Sequence, residues 1–141
     1  MLSESQTSFA QRQRIAHLAT ADAEGQPHVV PICFVVIDGD FYFVIDLKPK
    51  RTTRLKRLRN IEENPAVALV IDRYDEDWSR LGWLMLQGVA SVIKSGPQHG
   101  AAVAALAEKY AQYRDMALDD RPIVRIVPEH VSSWGDLDEE R

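Results

Sequence analysis

The sequence predicts a mainly β domain of the α+β class, with six strands forming an antiparallel barrel and helices flanking it. Three observations carry this reading. Six runs rich in β-branched and aromatic residues punctuate the chain, and most are joined by short turns holding Gly, Pro or Asp. Helical patterns occur at only two corners of that succession, whereas a doubly wound parallel sheet needs one after each strand. No G-x-G-x-x-G follows the first strand, so the dinucleotide fingerprint is missing.

In chain order, residues 3–14 read as a short N-terminal helix anchored by Phe9 and Ile15. IAHLATAD (15–22) is the first strand, closed by the AEGQP turn. HVVPICFVVID (28–38) is the second, and its internal Pro31 marks an edge, a bulge or a place where a ligand approaches the backbone. DGD (38–40) is a hairpin signal leading into the third strand, FYFVID (41–46). A basic helix follows and ends near Asn64-Pro65, because the residue before proline disfavours helix. AVALVID (66–72), the charged loop RYDEDWSR (73–80) and GWLMLQGVASVIK (82–94) come next, with Gly88 expected at a bulge or bend. An Ala-rich helix (96–113) starts at Pro97, and the last strand (122–134) is interrupted at Pro128.

Composition bounds the function. At 141 residues the chain is read as one domain over 1–141, 45% hydrophobic and 27% charged, which is ordinary soluble material. The longest apolar run, PICFVVI, is strand-sized, so no membrane span is expected. The N-terminus has no apolar signal region, and the one cysteine, Cys33, excludes an internal disulfide framework. Both point to the cytoplasm. Within an apolar run, Cys33 reads as a packing residue rather than a nucleophile.

The net charge is −4, yet seven of the 17 Lys and Arg residues fall between Lys48 and Arg59. Leu55, Leu58 and Ile61 recur every three residues and would form a buried stripe that leaves the basic side chains outside. Thr52 and Thr53 are candidate caps, and Pro49 is an equally fair first helical residue. Free backbone N–H groups, hydroxyls and cations gathered at a helix N-terminus make a phosphate site. A solvated basic face accounts for the same composition. The acidic remainder and the scarcity of aromatics among these cations argue against nucleic acid as a partner.

Recognisable catalytic chemistry is missing. His17, His28, His99 and His130 lie in different elements without metal-ligand spacing, and no G-x-S-x-G, Walker or H-E-x-x-H motif occurs. Such a chain either binds something or takes its chemistry from an organic cofactor.

Taken together, LATADAEGQPHVVPICFVVIDGDFYFVID and KPKRTTRLKRLRNIEENPAVALVID resemble the pyridoxamine-phosphate-oxidase-like, flavin-reductase-like split-barrel family. WSRLGWLMLQGVASVI and RIVPEHVSSWG fit its fifth and last strands, so the resemblance runs from about Ile15 to Trp134. K-P-K-R-T-T-R-L looks most like the actinobacterial-type branch that uses coenzyme F-420, a deazaflavin, in place of FMN. The resemblance implies a six-stranded split β-barrel and a homodimer with the cofactor in a groove between two barrels. Matched by position, Lys50, Arg51, Thr52, Thr53, Arg54 and Arg57 would hold the cofactor phosphate. His28, Pro31 and Cys33 would run beneath the ring, and Trp78 would reach the cofactor from the partner subunit. Arg57 stands where many members carry a lysine eight residues before the proline of N-P. The implied activity is hydride transfer from reduced deazaflavin to a small conjugated acceptor such as an enone or quinone. An FMN-dependent oxidase or reductase, and a non-enzymatic cofactor or tetrapyrrole binder, use the same scaffold, and a fold does not choose among them.

If the basic segment holds a phosphate, Lys50→Ala and Arg57→Ala each weaken cofactor binding by about 1–3 kcal/mol, read by fluorescence titration. Affinities equal to wild type in both variants would make the segment a solvated face.

Overall fold

The structure, a computed structural model, describes residues 1–45 and 56–138. Its elements are α1 (Glu4–Arg12), β1 (Ala16–Ala21), β2 (Pro27–Ile32), β3 (Val35–Ile37), β4 (Asp40–Val44), α2 (Lys56–Glu63), β5 (Ala66–Arg73), β6 (Gly82–Ile93), α3 (Pro97–Lys109) and β7 (Ile123–Gly135). Short 3-10 turns span Trp78–Arg80 and Ala111–Asp115. All strand pairs are antiparallel, in the order β2-β1-β5-β6-β7-β4-β3, and the sheet curls into a half-barrel. Among the described residues no helix is long and apolar enough to cross a membrane.

The sheet has seven strands rather than the six expected, because the long second strand divides. β2 pairs with β1 and β3 with β4, so Cys33 and Phe34 carry the chain from one edge of the sheet to the other. Uniformly apolar sequence on both sides of that crossover hides the break, since periodicity does not report which neighbour a strand takes. β2 being an edge strand explains Pro31, whose missing N–H weakens no interior ladder.

Burial follows from the curl. β6 alternates strictly, with Leu84, Leu86 and Ala90 inside and Met85, Gln87 and Val89 outside. β4 is buried on both faces: Phe41 and Phe43 join Leu18, Leu69 and Ile126 in the barrel core, while Tyr42 and Val44 pack beneath Ala102 and Leu106 of α3. Hence its uninterrupted apolar sequence, FYFV. The hairpin between β3 and β4 turns on Asp38 (φ 52°) and Gly39 (φ 84°), the positive pair that a two-residue hairpin of matching twist requires.

Pro128 does not interrupt the last strand. Gln87 pairs with His130 and Gly88 with Pro128, leaving Glu129 as the extra residue of a bulge on β7. At Gly88 the strands come so close that a Cβ would run into the Val127 carbonyl. Gly88→Ala should therefore cost about 1–3 kcal/mol of stability, measured by urea unfolding, since backbone is the obstacle. An unchanged midpoint would show that the bulge relaxes freely.

Candidate functional site

α2 carries the described part of the basic segment. Leu58 and Ile61 are buried as their spacing predicts, but not every cation stays outside. Arg57 is half-buried, and its Nε is sealed from solvent with no hydrogen-bond partner among the described residues. It lines a cavity of about 180 Å³ with Pro31 and Cys33 from the end of β2, Phe43 and Val44 of β4, and Tyr113. A guanidinium nitrogen buried without an acceptor is costly, and an anionic oxygen in that cavity would satisfy it.

Three residues on, along the same side of the helix, Asn60 is fully buried and donates through Nδ2 to Thr20 Oγ1 at 3.0 Å, while its Oδ1 lacks a partner among the described residues. Thr20 is the register partner of His28, whose half-buried ring keeps an unpartnered Nδ1. All three orphaned side-chain atoms among the described residues thus belong to α2 or to the β1–β2 pair, with which α2 packs.

Of the expected site residues, the fold brings Pro31, Cys33 and Arg57 into one cavity. His28 does not line it: it sits near the opposite end of β2 from the cavity, paired with Thr20. Trp78 is likewise not a wall of this cavity. It stands 69% exposed on the loop after β5, its Nε1 donating to Tyr74 Oη at 3.4 Å. Lys50, Arg51, Thr52, Thr53 and Arg54 lie outside the described residues, as does the start of the basic helix.

Sequence reasoning missed Tyr113, Tyr110 and Lys109. Phe34, at the crossover, has no ladder partner, and side chains from the end of α3 take its place. The Phe34 N–H donates to Tyr110 Oη at 3.0 Å, and the Phe34 carbonyl accepts from Lys109 Nζ at 3.1 Å. The Tyr110 hydroxyl has carbonyl acceptors in Arg14 at 2.8 Å and Phe34 at 3.1 Å. Tyr113 packs edge-on against Tyr110 with centroids 5.7 Å apart. The only hint in the sequence was a helix expected to run through 113 that instead stops at Lys109, where three polar-tipped side chains face an apolar strand.

The surroundings shift both ionisable groups. Burial, with the like charge of Arg14 second, pulls the Lys109 ammonium down to about 8, although its Nζ lies 3.9 Å above the Phe34 ring. Burial pushes the Tyr110 phenol up to about 12. Among the described residues no three His, Cys, Asp or Glu side chains gather as a metal site.

The family model for pyridoxamine 5'-phosphate oxidase matches residues 2–135. The 5a,11a-dehydrotetracycline/5a,11a-dehydrooxytetracycline reductase of Streptomyces rimosus subsp. rimosus is 23% identical over 133 residues, covering 94% of this chain and 82% of its own. Among solved structures, an F-420 reductase is 25% identical with a TM-score of 0.67, covering 93% of this chain and 98% of the other. HutZ, the heme storage protein of Vibrio cholerae, superposes with a TM-score of 0.70 at 21% identity, over 90% of this chain and 89% of its own, and shares the fold.

Lys109 gives this site a pH signature. Its folded value lies below the ordinary 10.5, so above about 8 the folded protein holds fewer protons than the unfolded chain. Stability should therefore rise with pH from about 8 towards 10, where the Tyr110 phenol begins to oppose it, and this gain is lost as pH falls back through 8. Urea midpoints of wild type and Lys109→Met across that range test this. Parallel pH profiles in the two proteins would refute it.

Proposed function

The chain belongs to the pyridoxamine 5'-phosphate oxidase family, and from that premise we propose that it is an oxidoreductase using coenzyme F-420, with its cofactor phosphate at the Arg57 cavity. The observation that carries this reading is the buried, unpartnered Arg57 Nε beside Pro31 and Cys33, where a phosphate oxygen would complete an otherwise unmet donor. Similarity to a named reductase supports a redox role, and similarity to an F-420 reductase supports F-420 over FMN.

In this reading Arg57 binds the phosphate, joined by Lys50, Arg51, Thr52, Thr53 and Arg54. Pro31 and Cys33 offer a narrow outward surface on β2 against which a planar ring can lie, and Phe43 and Val44 exclude water from the cavity floor. The bound cofactor supplies hydride donation to a small conjugated acceptor of the enone or quinone kind. The protein orients the two partners and keeps the contact dry, terms that reduce the barrier without a dedicated acid.

The functional unit we propose is a homodimer. The outer face of the sheet exposes Val29 (62%), Trp134 (54%), Met85, Val89 and Val127, more apolar surface in one region than a monomer needs. A depression of about 480 Å³ on that face is walled by small residues, including Ala19, Ala21, Ala68 and Gly88. A second barrel seated there would bury the patch and bring one subunit's Trp78 towards the other's groove.

Fluorescence titration of the ligand-free protein with F-420, FMN and heme tests the cofactor. Micromolar or tighter F-420 binding with weak FMN and heme binding is the expected result. A preference for FMN moves the protein to that cofactor's branch, and heme alone makes it a tetrapyrrole binder. Sedimentation should give a dimer at micromolar concentration that Val89→Asp converts to monomer. A monomeric wild type would overturn the shared groove.

A further inference from the structure

At the Cys33–Phe34 crossover the chain leaves β2, which forms a wall of the Arg57 cavity, and the β2–β1 ladder ends at Ile32 while the β3–β4 ladder begins only at Val35. Phe34 receives its two backbone hydrogen bonds from side chains: its N–H donates to Tyr110 Oη and its carbonyl accepts from Lys109 Nζ. The same hydroxyl reaches the Arg14 carbonyl, and the Arg14 guanidinium donates back to the Lys109 carbonyl at 2.7 Å. Three segments remote in sequence therefore close on one residue. Cys33, immediately before it, lines the Arg57 cavity, and so does Tyr113, which packs on the Tyr110 ring.

We propose that Lys109 and Tyr110 are positioning residues for the Arg57 cavity: they fix the Cys33–Phe34 crossover, and with it the wall made by Pro31, Cys33 and Tyr113. The inference deepens the cofactor-site reading and rests on it for its ligand, but not for its geometry. It differs from a purely structural role because the clamp includes a charge. The charged or ionisable groups facing Lys109 Nζ are Arg14 from the segment after α1 and Cys33 at the crossover, with Tyr110 and Glu108 on its own stretch of chain. Val35 and Val36 of β3 and Gln11 of α1, which line the space beside it, bring none. Losing the ammonium charge turns the hydrogen bond to the Phe34 carbonyl from a charge-assisted into an ordinary one, and loosens the hold on that carbonyl.

Two measurements test this on the full chain. The first uses ligand-free, 15N-labelled protein. Between pH 7 and 9, a range spanning the value of about 8, the amides of Ile32, Cys33 and Phe34 should titrate in wild type and in Cys33→Ser, but not in Lys109→Arg. Tyr110→Phe keeps the ring and its packing, and should displace the same three amides at constant pH. Changes confined to Phe34, or titration that persists in Lys109→Arg, would overturn the proposal. The second is the affinity for F-420 and for FMN over the same pH range. Wild type should weaken as pH rises, Lys109→Arg should stay flat, and Tyr110→Phe should lose about 3- to 10-fold throughout. A flat wild-type profile with bound cofactor also overturns it. If neither cofactor binds, the functional reading fails and the amide measurement alone decides the clamp.

Discussion

Two residues hold this molecule in its shape. β2 and β3 are consecutive in the chain, yet they occupy opposite edges of the sheet, and only Cys33 and Phe34 join them. A flat sheet of seven strands would separate those edges by several strand widths of nearly 5 Å each. Two residues cannot span that gap, so the sheet must curl until the edges meet. The barrel core, the double burial of β4 and the cavity at the end of β2 all follow from that closure. So does the need for side chains to serve the Phe34 backbone, which closure leaves between two ladders.

Much of this was legible in the residues. The Asp38-Gly39 hairpin, the β6 glycine facing the β7 bulge and the antiparallel order could be read because each rests on local chemistry: positive φ, a close backbone approach, short turns. The split of the second strand could not. VVPICFVVI is equally apolar on both sides of the break, and partner choice is decided by the distant strands β1 and β4. The candidate site divides in the same way. Charge clustering marked Arg57, and the internal proline marked Pro31, because both are conspicuous in composition. Tyr110 and Lys109 are conspicuous only once the Phe34 backbone is seen to lack a strand partner. Nor could spacing reveal that Arg57 turns inward, since a helical cation beside Leu58, at the margin of the apolar stripe, can point either way.

Electrostatics at the two ends of the crossover run in opposite senses. At half-buried Arg57 one guanidinium nitrogen, Nε, is sealed off with no acceptor among the described residues, which favours an incoming anion. At Lys109 burial and Arg14 disfavour the charge, and a carbonyl and two aromatic rings retain it only partly. One site is therefore completed by a ligand, whereas the other is completed by the fold. The reach from one to the other is short, because Cys33 and Phe34 are neighbours in the chain.

The pairing of β4 with β7 bears on how the chain acquires its structure during synthesis. The β3–β4 hairpin is local and can form early, but the Tyr42–Val44 face of FYFV waits for α3 and the open edge of β4 waits for β7. Until then an apolar ribbon with an open edge is exposed to other nascent chains, the circumstance in which strands join the wrong partner. The Asp40–Arg125 ion pair, at 2.6 Å, forms only when β7 arrives and fixes its register against that hairpin. The late strand thus ends the period in which this protein is most exposed to aggregation, and conditions that slow its arrival lengthen that period.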